Sequence, residues 1–356
     1  MTDAQADLLQ RTAELIDIPS PSLDEAALAD HVEAELRSLP GLTVDRVGDN
    51  VVARTRLERT HRLLLVGHLD TVPANGNERA RRDGDTLWGL GSADMKSGLA
   101  VFLELARTVP EPAHDLSFVF YVAEEIAAEH SGLLQLRDRR PDLLAGDAAV
   151  LGEPTDGWLE AGCQGTARVR LRFAGARAHT ARPWMGRNAI HRLGEAIRRV
   201  AAFEERRPVI DGCEYREAMQ AVFVEGGVAG NVVPDSATLT VNMRIAPDRT
   251  VDDALASLRD RLDGVLEDGD DFDVVDRADP APPALTHPLF ARLVDDGLPV
   301  RAKLGWTDVA RFAAMGIPAV NFGPGDATVA HTADEHVTAD SVARVHEALF
   351  RLVTRD

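Results

Sequence analysis

Cysteine is nearly absent: Cys163 and Cys213 are the only two in 356 residues. Two thiols cannot build a disulfide framework, and such sparing use fits a reducing, cytoplasmic compartment. Positive charge is also scarce. Lys and Arg number 39 against 58 Asp and Glu, a formal net charge of −19, which argues against nucleic acid or an anionic membrane as partner, since both need a basic surface. Long apolar runs are missing as well. The longest, around Leu63–Val66 and Phe118–Ala123, fall far short of the roughly 20 residues of a membrane span. The opening MTDAQADLLQ has neither the basic start nor the apolar core of a secretory signal. What remains, 45% hydrophobic and 27% charged residues, describes a folded soluble chain whose length suggests two domains.

The hydrophobic patterning divides the chain. Two amphipathic helices are expected in the first forty residues, the second opening at Ser22 with Glu25 three positions on, the spacing of a capping box. Short continuous apolar runs follow at Leu63–Val66, Leu116–Ala123 and Ala148–Leu151, separated by helical stretches such as Ser97–Thr108. This alternation predicts an α/β domain with a mostly parallel sheet buried on both faces. After Gly165 the texture changes: Ala167–Phe173 alternates Arg with apolar residues, as a strand with one wet face does. Helices near 188–205 and 251–266 and strands near 221–225 and 237–245 complete an α+β block. The Asp/Pro-rich 276–284 reads as a linker, and a helix near 308–315, a strand at Pro318–Phe322 and a last helix over 339–353 return to the first texture. The simplest organisation is a catalytic α/β domain (1–165 and 283–356) split by an inserted α+β domain (166–282).

The residues that end the apolar runs carry the chemistry. Leu63–Val66 runs into Gly67-His68-Leu69-Asp70, Leu116–Ala123 into Glu124-Glu125, and Ala148–Leu151 into Gly152-Glu153. Pro318–Phe322 leads toward His331, and Asp94 lies in the glycine-rich segment 89–98 before a helix. Open α/β sheets bind ligands beyond the carboxyl ends of their strands, so these side chains are expected along one edge. Zinc takes His nitrogen and carboxylate oxygen, and two metals can share a bridging carboxylate. His68, Asp94, Glu125, Glu153 and His331 would hold two divalent cations, zinc first, with cobalt or manganese also suited to such ligands. Asp70 could then accept the second imidazole N–H of His68, and Glu124, not needed as a ligand, could move protons. Each piece alone is weak: an H-x-D or a Glu pair at a strand end is more often structural, and their conjunction is what counts. His61, His114, His130 and His346 read as ordinary surface histidines. The segment 89–98 matches neither the dinucleotide nor the P-loop glycine pattern.

The segments G-H-L-D-T-V-P (67–73), G-S-A-D-M-K-S-G (91–98), E-E (124–125), G-E-P-T (152–155) and H-T-A-D-E (331–335) resemble, in order and over nearly the whole chain, the dinuclear-metal amidohydrolases and exopeptidases. That family includes enzymes that deacylate acetylornithine, succinyl-diaminopimelate and acyl-amino acids, and glutamate carboxypeptidase. The resemblance implies that His68 and His331 each hold one metal while Asp94 bridges. It makes Glu125 and Glu153 the remaining ligands, Glu124 the general acid/base and Asp70 the residue that orients His68. Further segments, 159–166, 178–191, 226–235 and 241–244, look like those of members acting on N-succinyl-LL-2,6-diaminopimelate. By that resemblance the inserted domain is a lid that also forms a homodimer. His179 would reach the partner's site and stabilise the oxyanion, and Asn231, Asn242 and Arg244 would hold substrate carboxylates. A strand-face arginine in an ion pair is the alternative for Arg244.

The implied reaction is hydrolysis of N-succinyl-LL-2,6-diaminopimelate to succinate and LL-2,6-diaminopimelate. A related activity on acetylornithine, an acyl-amino acid or a dipeptide is the alternative, and a metal-binding module without catalysis is disfavoured because Glu124 and Asp94 are both present. A small anionic substrate sits uneasily with a net charge of −19. The expectation is a pocket made locally positive by the metals and by arginines such as Arg244 and Arg182.

Overall fold

The computed structural model describes residues 3–355. Within them the chain forms two compact units. The first runs up to Ala161 and resumes over Ala284–Arg301 and from Arg311 on; the second comprises Gly162–Pro283 and Ala302–Ala310. Residues 302–310 belong to the second unit because the start of that unit holds them. Gln164 N donates to Lys303 O at 3.2 Å, and Cys163 Sγ lies 3.8 Å from Thr307 O.

The first unit is an α/β sandwich. Its eight-stranded sheet has four central parallel strands, in the spatial order Asp115–Tyr121, Arg62–His68, Ala148–Leu151 and Ala319–Asn321. Their residues are almost all buried, which is why these stretches read as unbroken apolar runs rather than as alternating ones. Antiparallel strands flank the parallel centre, Thr43–Val47 and Asn50–Arg54 on one side and Leu159–Ala161 on the other. Helices Asp3–Ile16, Lys96–Thr108 and Ala339–Thr354 pack on one another. The last of them buries Val342, Val345, Leu349, Leu352 and Val353, the spacing of a helix with one apolar face.

The helix expected from Ser22 begins later, at Ala26, and the capping box does not form. Both of its residues are used elsewhere. Ser22 Oγ donates to Asp70 Oδ2 at 2.8 Å, and buried Glu25 accepts from Ala123 N at 3.1 Å. A second difference concerns 276–284, whose first three residues are strand: Asp276, Arg277 and Ala278 pair with Arg168, Ala167 and Thr166. The Asp/Pro composition marks only the part beyond. His114 is buried rather than on the surface, sitting next to the start of the Asp115–Tyr121 strand.

The second unit is a four-stranded antiparallel sheet in the order Ala218–Gly226, Ser236–Ile245, Gly165–Ala174 and Asp271–Ala278. Helices Ala189–Ala201 and Val251–Arg261 contact this sheet. Ala167, Val169, Leu171 and Phe173 are buried, while Arg168, Arg170 and Arg172 are exposed. The second helix starts on a formed capping box between Thr250 and Asp253. Among the described residues both cysteines are free and buried, and no helix is long and apolar enough to cross a membrane.

Candidate metal centre

Each parallel strand delivers its chemistry at its carboxyl end. His68 is the last residue of its strand; Glu124 and Glu125 follow Tyr121 by three and four positions; Glu153 follows Leu151 by two. Asp94 lies just before helix Lys96–Thr108. His331 follows the Ala319–Asn321 strand after a loop. These segments converge, so that three groups of side chains bring potential ligand atoms within 4.8 Å of one another: His68, Asp94 and Glu153; His68, Glu124 and Glu125; and Asp94, Glu125 and His331. All belong to the first unit.

Asp94 stands at the middle. Its Oδ1 lies 3.1 Å from His68 Nε2 and its Oδ2 lies 3.5 Å from His331 Nε2. One carboxylate thus offers one oxygen toward each imidazole, as a carboxylate bridging two cations would. His331 Nε2 is also 2.9 Å from Glu125 Oε1. Two imidazoles, each facing carboxylate oxygens, make a donor set of the hard and borderline type that divalent zinc, cobalt or manganese accepts. The residues present therefore fit a pair of cations.

The electrostatics say what such cations would replace. Hydrogen bonds to Asp94 and Glu125 push the His331 pKa up to about 10, with burial opposing. Burial disfavours the charged form of His68, yet bonds to Asp70 and Asp94 more than offset it and raise its pKa well above the usual value. Asp94 moves the other way: burial alone would raise it, and the two imidazoles bring it well below the carboxylate range. Protons on the imidazoles thus stand where cations would balance the carboxylates.

The supporting shell is equally ordered. The imidazole nitrogen Nδ1 of His68 lies 3.0 Å from the main-chain oxygen of Asp70 and 3.5 Å from its carboxylate. The backbone carbonyl is therefore the nearer acceptor, while the carboxylate of Asp70 accepts from Glu124 N at 2.9 Å, Glu125 N at 3.1 Å and Ser22 Oγ at 2.8 Å. Asp70 thus orients the Glu124–Glu125 turn as well as His68. Burial opposes its charge, but these bonds bring its pKa down to about 2. Ala123 and His331 both adopt positive φ, 57° and 62°, conformations that cost a non-glycine residue about 1–3 kcal/mol and cluster where function fixes a side chain.

The sequence pattern gives no role to one residue of the shell, although it lies in the H-T-A-D-E segment. Glu335 is buried and accepts from Gly91 N at 3.1 Å, Ala93 N at 2.9 Å and Asp94 N at 3.0 Å. It fastens the loop that aims Asp94. Burial raises its pKa, and these three backbone donors oppose the rise. The signal was its place in H-T-A-D-E, four residues after His331; the partner it serves lies some 240 residues away and left no local trace.

The other expected site residues lie in the second unit. His179 is exposed, with Nδ1 accepting from Ala181 N at 3.0 Å; Thr180 N in turn donates to Asn231 O at 3.0 Å. Asn242 and Arg244 occupy alternate positions of strand Ser236–Ile245, between buried Val241, Met243 and Ile245, and so share the sheet's other face. The side chain of Arg244 makes no hydrogen bond or ion pair among the described residues, so it is not half of a strand-face pair.

Comparison with known proteins gives the family and the fold. A Corynebacterium glutamicum protein named succinyl-diaminopimelate desuccinylase is 44% identical over 350 residues, covering 96% of this chain and 95% of that one. A Mycobacterium tuberculosis protein provisionally given the same name is 52% identical over 353 residues, 99% of each chain. The crystal structure of a tripeptidase from Staphylococcus aureus shares the fold, with a TM-score of 0.80 at 22% identity over 98% of this chain and 97% of that one. The family profile described as Peptidase family M20/M25/M40 matches residues 64–355, and the chain belongs to that family.

Proposed function

We propose that this chain hydrolyses the amide of N-succinyl-LL-2,6-diaminopimelate to succinate and LL-2,6-diaminopimelate, using two divalent cations, zinc in the first instance. The observation that carries the reaction is Asp94 set between two imidazoles, one facing each of its oxygens. The substrate rests on the name of the 44% identical relative over nearly the full length.

In this reading His68 and Glu153 would hold one cation, Glu125 and His331 the other, and Asp94 would serve both. The cations would polarise the scissile carbonyl and make a water acidic enough to attack near neutral pH. Glu124 does the proton work. Its backbone is pinned to Asp70, and its carboxylate lies in the group with His68 and Glu125. It takes the proton from the attacking water and returns it to the departing amine nitrogen, which is too basic to leave unprotonated. His179, supplied by the partner of a homodimer, steadies the oxyanion, and Asn231, Asn242 and Arg244 bind substrate carboxylates. A guanidinium with no internal partner, as Arg244 has, is suited to that task.

The second unit, 166–282, serves as lid and dimerisation domain. What supports the dimer is its edge strand Ala218–Gly226, on which Val222, Phe223 and Val224 are 44%, 68% and 55% exposed. A long apolar sheet edge open to water invites pairing with a second copy. We place the protein in the cytoplasm, a setting that its two unpaired buried thiols suit.

The test is release of primary amine by metal-reconstituted protein, with N-succinyl-LL-2,6-diaminopimelate and N-acetyl-L-ornithine side by side. A zinc- or cobalt-dependent preference for the succinyl compound is expected. Preference for acetylornithine overturns the substrate and keeps the centre.

A further inference from the structure

The parallel strand that ends in His68 begins at Arg62. Six residue steps at about 3.3 Å put Arg62 roughly 20 Å from the metal centre, at the opposite edge of the sheet. There the first unit has a cavity of about 380 Å³ lined by Arg54, Thr55, Arg56, Arg62, Asp142 and Ala145. Three guanidinium-bearing residues and one carboxylate around one cavity are unusual in a protein with a net charge of −19.

The local acids offset these charges only in part, because each is shared with other donors. Asp115 accepts from Thr55 Oγ1 at 2.7 Å, Leu57 N at 2.9 Å and Arg59 N at 3.0 Å, and pairs with Arg62 only at 3.6 Å, an ion pair without a hydrogen bond. Both carboxylate oxygens of Asp142 are taken by Arg140 at 2.8 Å. Asp45 is shared between Arg54 at 3.2 Å and Arg140 at 3.4 Å. The hydrogen bonds of the Arg62 guanidinium go to neutral groups: Leu116 O, Ser117 Oγ and Thr55 O, at 3.1, 3.3 and 3.1 Å. Arg54 Nε is buried with no acceptor, and Arg56 has neither hydrogen bond nor ion pair among the described residues. Burial weakens the proton affinity of Arg62; Asp115 and Asp147 oppose the change, and the neighbouring Arg54 and Arg56 add to it. An anion would supply acceptors to Arg56 and to Arg54 Nε and add a negative charge beside Arg62.

We propose that this cavity is a binding site for a small, doubly charged oxoanion, a phosphate or a dicarboxylate, separate from the metal centre. Guanidinium groups grip both kinds of oxygen in bidentate fashion, and a volume of about 380 Å³ admits an organic anion as well as a bare phosphate. Arg54 and Arg56 lie close together in the chain, but only the strand order brings Arg62 to the same cavity.

The test is isothermal titration of the metal-loaded protein with sodium phosphate and, separately, with succinate, at constant ionic strength against a chloride control. Each is run on wild type, on Arg56→Gln and on the double variant with Arg54→Gln. Any anion held at the metals contributes equally to all three proteins, so the difference reports the cavity. Arg56 is exposed and has no hydrogen bond or ion pair among the described residues to lose. Its change to Gln should lower the affinity of one saturable event at least tenfold, with turnover unchanged in the absence of added anion. Phosphate alone showing the loss makes the ligand a phosphate, and succinate alone makes it a dicarboxylate. Superimposable isotherms in wild type and both variants, for both anions, overturn the proposal.

Discussion

Glu335→Gln tests whether the geometry of Asp94 is imposed by the shell behind it. In the native protein one carboxylate oxygen accepts from Ala93 N and Asp94 N, and the other from Gly91 N. Gln has the same shape. Its amide oxygen can keep the first two bonds, but its NH₂ then faces the N–H of Gly91, donor against donor in a buried place. Hydrogen bonds to a charged acceptor contribute about 1.5–3 kcal/mol each, and an unsatisfied buried donor costs about 1–3 kcal/mol. The expected loss of stability is therefore about 2–4 kcal/mol, read as a lower midpoint at unchanged slope in urea. Groups that orient metal ligands typically govern a factor of about 10–100 in metal affinity, so zinc competition with a chelator should show a loss in that range. Glu335→Asp, which keeps the charge but shortens the reach, should lie between. If Glu335→Gln keeps wild-type stability and zinc affinity, the loop around Asp94 is held by something else and the reasoning fails.

Glu124→Gln should retain its metal by elemental analysis and lose about 10²–10⁴ in kcat; wild-type turnover would remove Glu124 as the proton carrier. Metal uptake at pH 7 should release protons from His331, whose metal-free pKa is about 10, and from His68. Titration in buffers of differing ionisation enthalpy should show it, with affinity rising as pH rises; proton-neutral binding would contradict the site. In the metal-free protein the same raised pKa means that the ion pairs of His331 stabilise fully below about pH 6.5 and fade as pH climbs through 10, visible as a falling midpoint in urea. Phe223→Glu, on an exposed edge, should leave a folded monomer by analytical ultracentrifugation and cut turnover along with dimerisation; an active dimer would refute the edge as the interface. Gly98→Ala should destabilise by about 1–3 kcal/mol through overpacking, because a Cβ there would meet Gly152 O at 2.5 Å.

The parallel sheet was legible because strands buried on both faces leave an unbroken apolar run, and the run's end is the residue next to the ligand crevice. Ala148–Leu151 appears at its expected bounds for that reason. The Arg alternation of 167–173 was legible for the opposite reason: one face is wet. What the sequence hid has a common physical cause, which is the partner's distance along the chain. Ser22 and Glu25 have capping-box spacing, yet a site carboxylate 48 positions away and a backbone N–H 98 positions away compete better for them than the helix end does. Glu335 is silent for the same reason, and so is the arginine cavity, assembled from two strands that flank a third. Local pattern reports only what a residue does for its own element. A residue that breaks its local rule, as Glu25 does in leaving its helix uncapped, is therefore a pointer to a long-range task. In this chain that pointer leads to the backbone of Ala123, which sets the turn carrying Glu124 and Glu125.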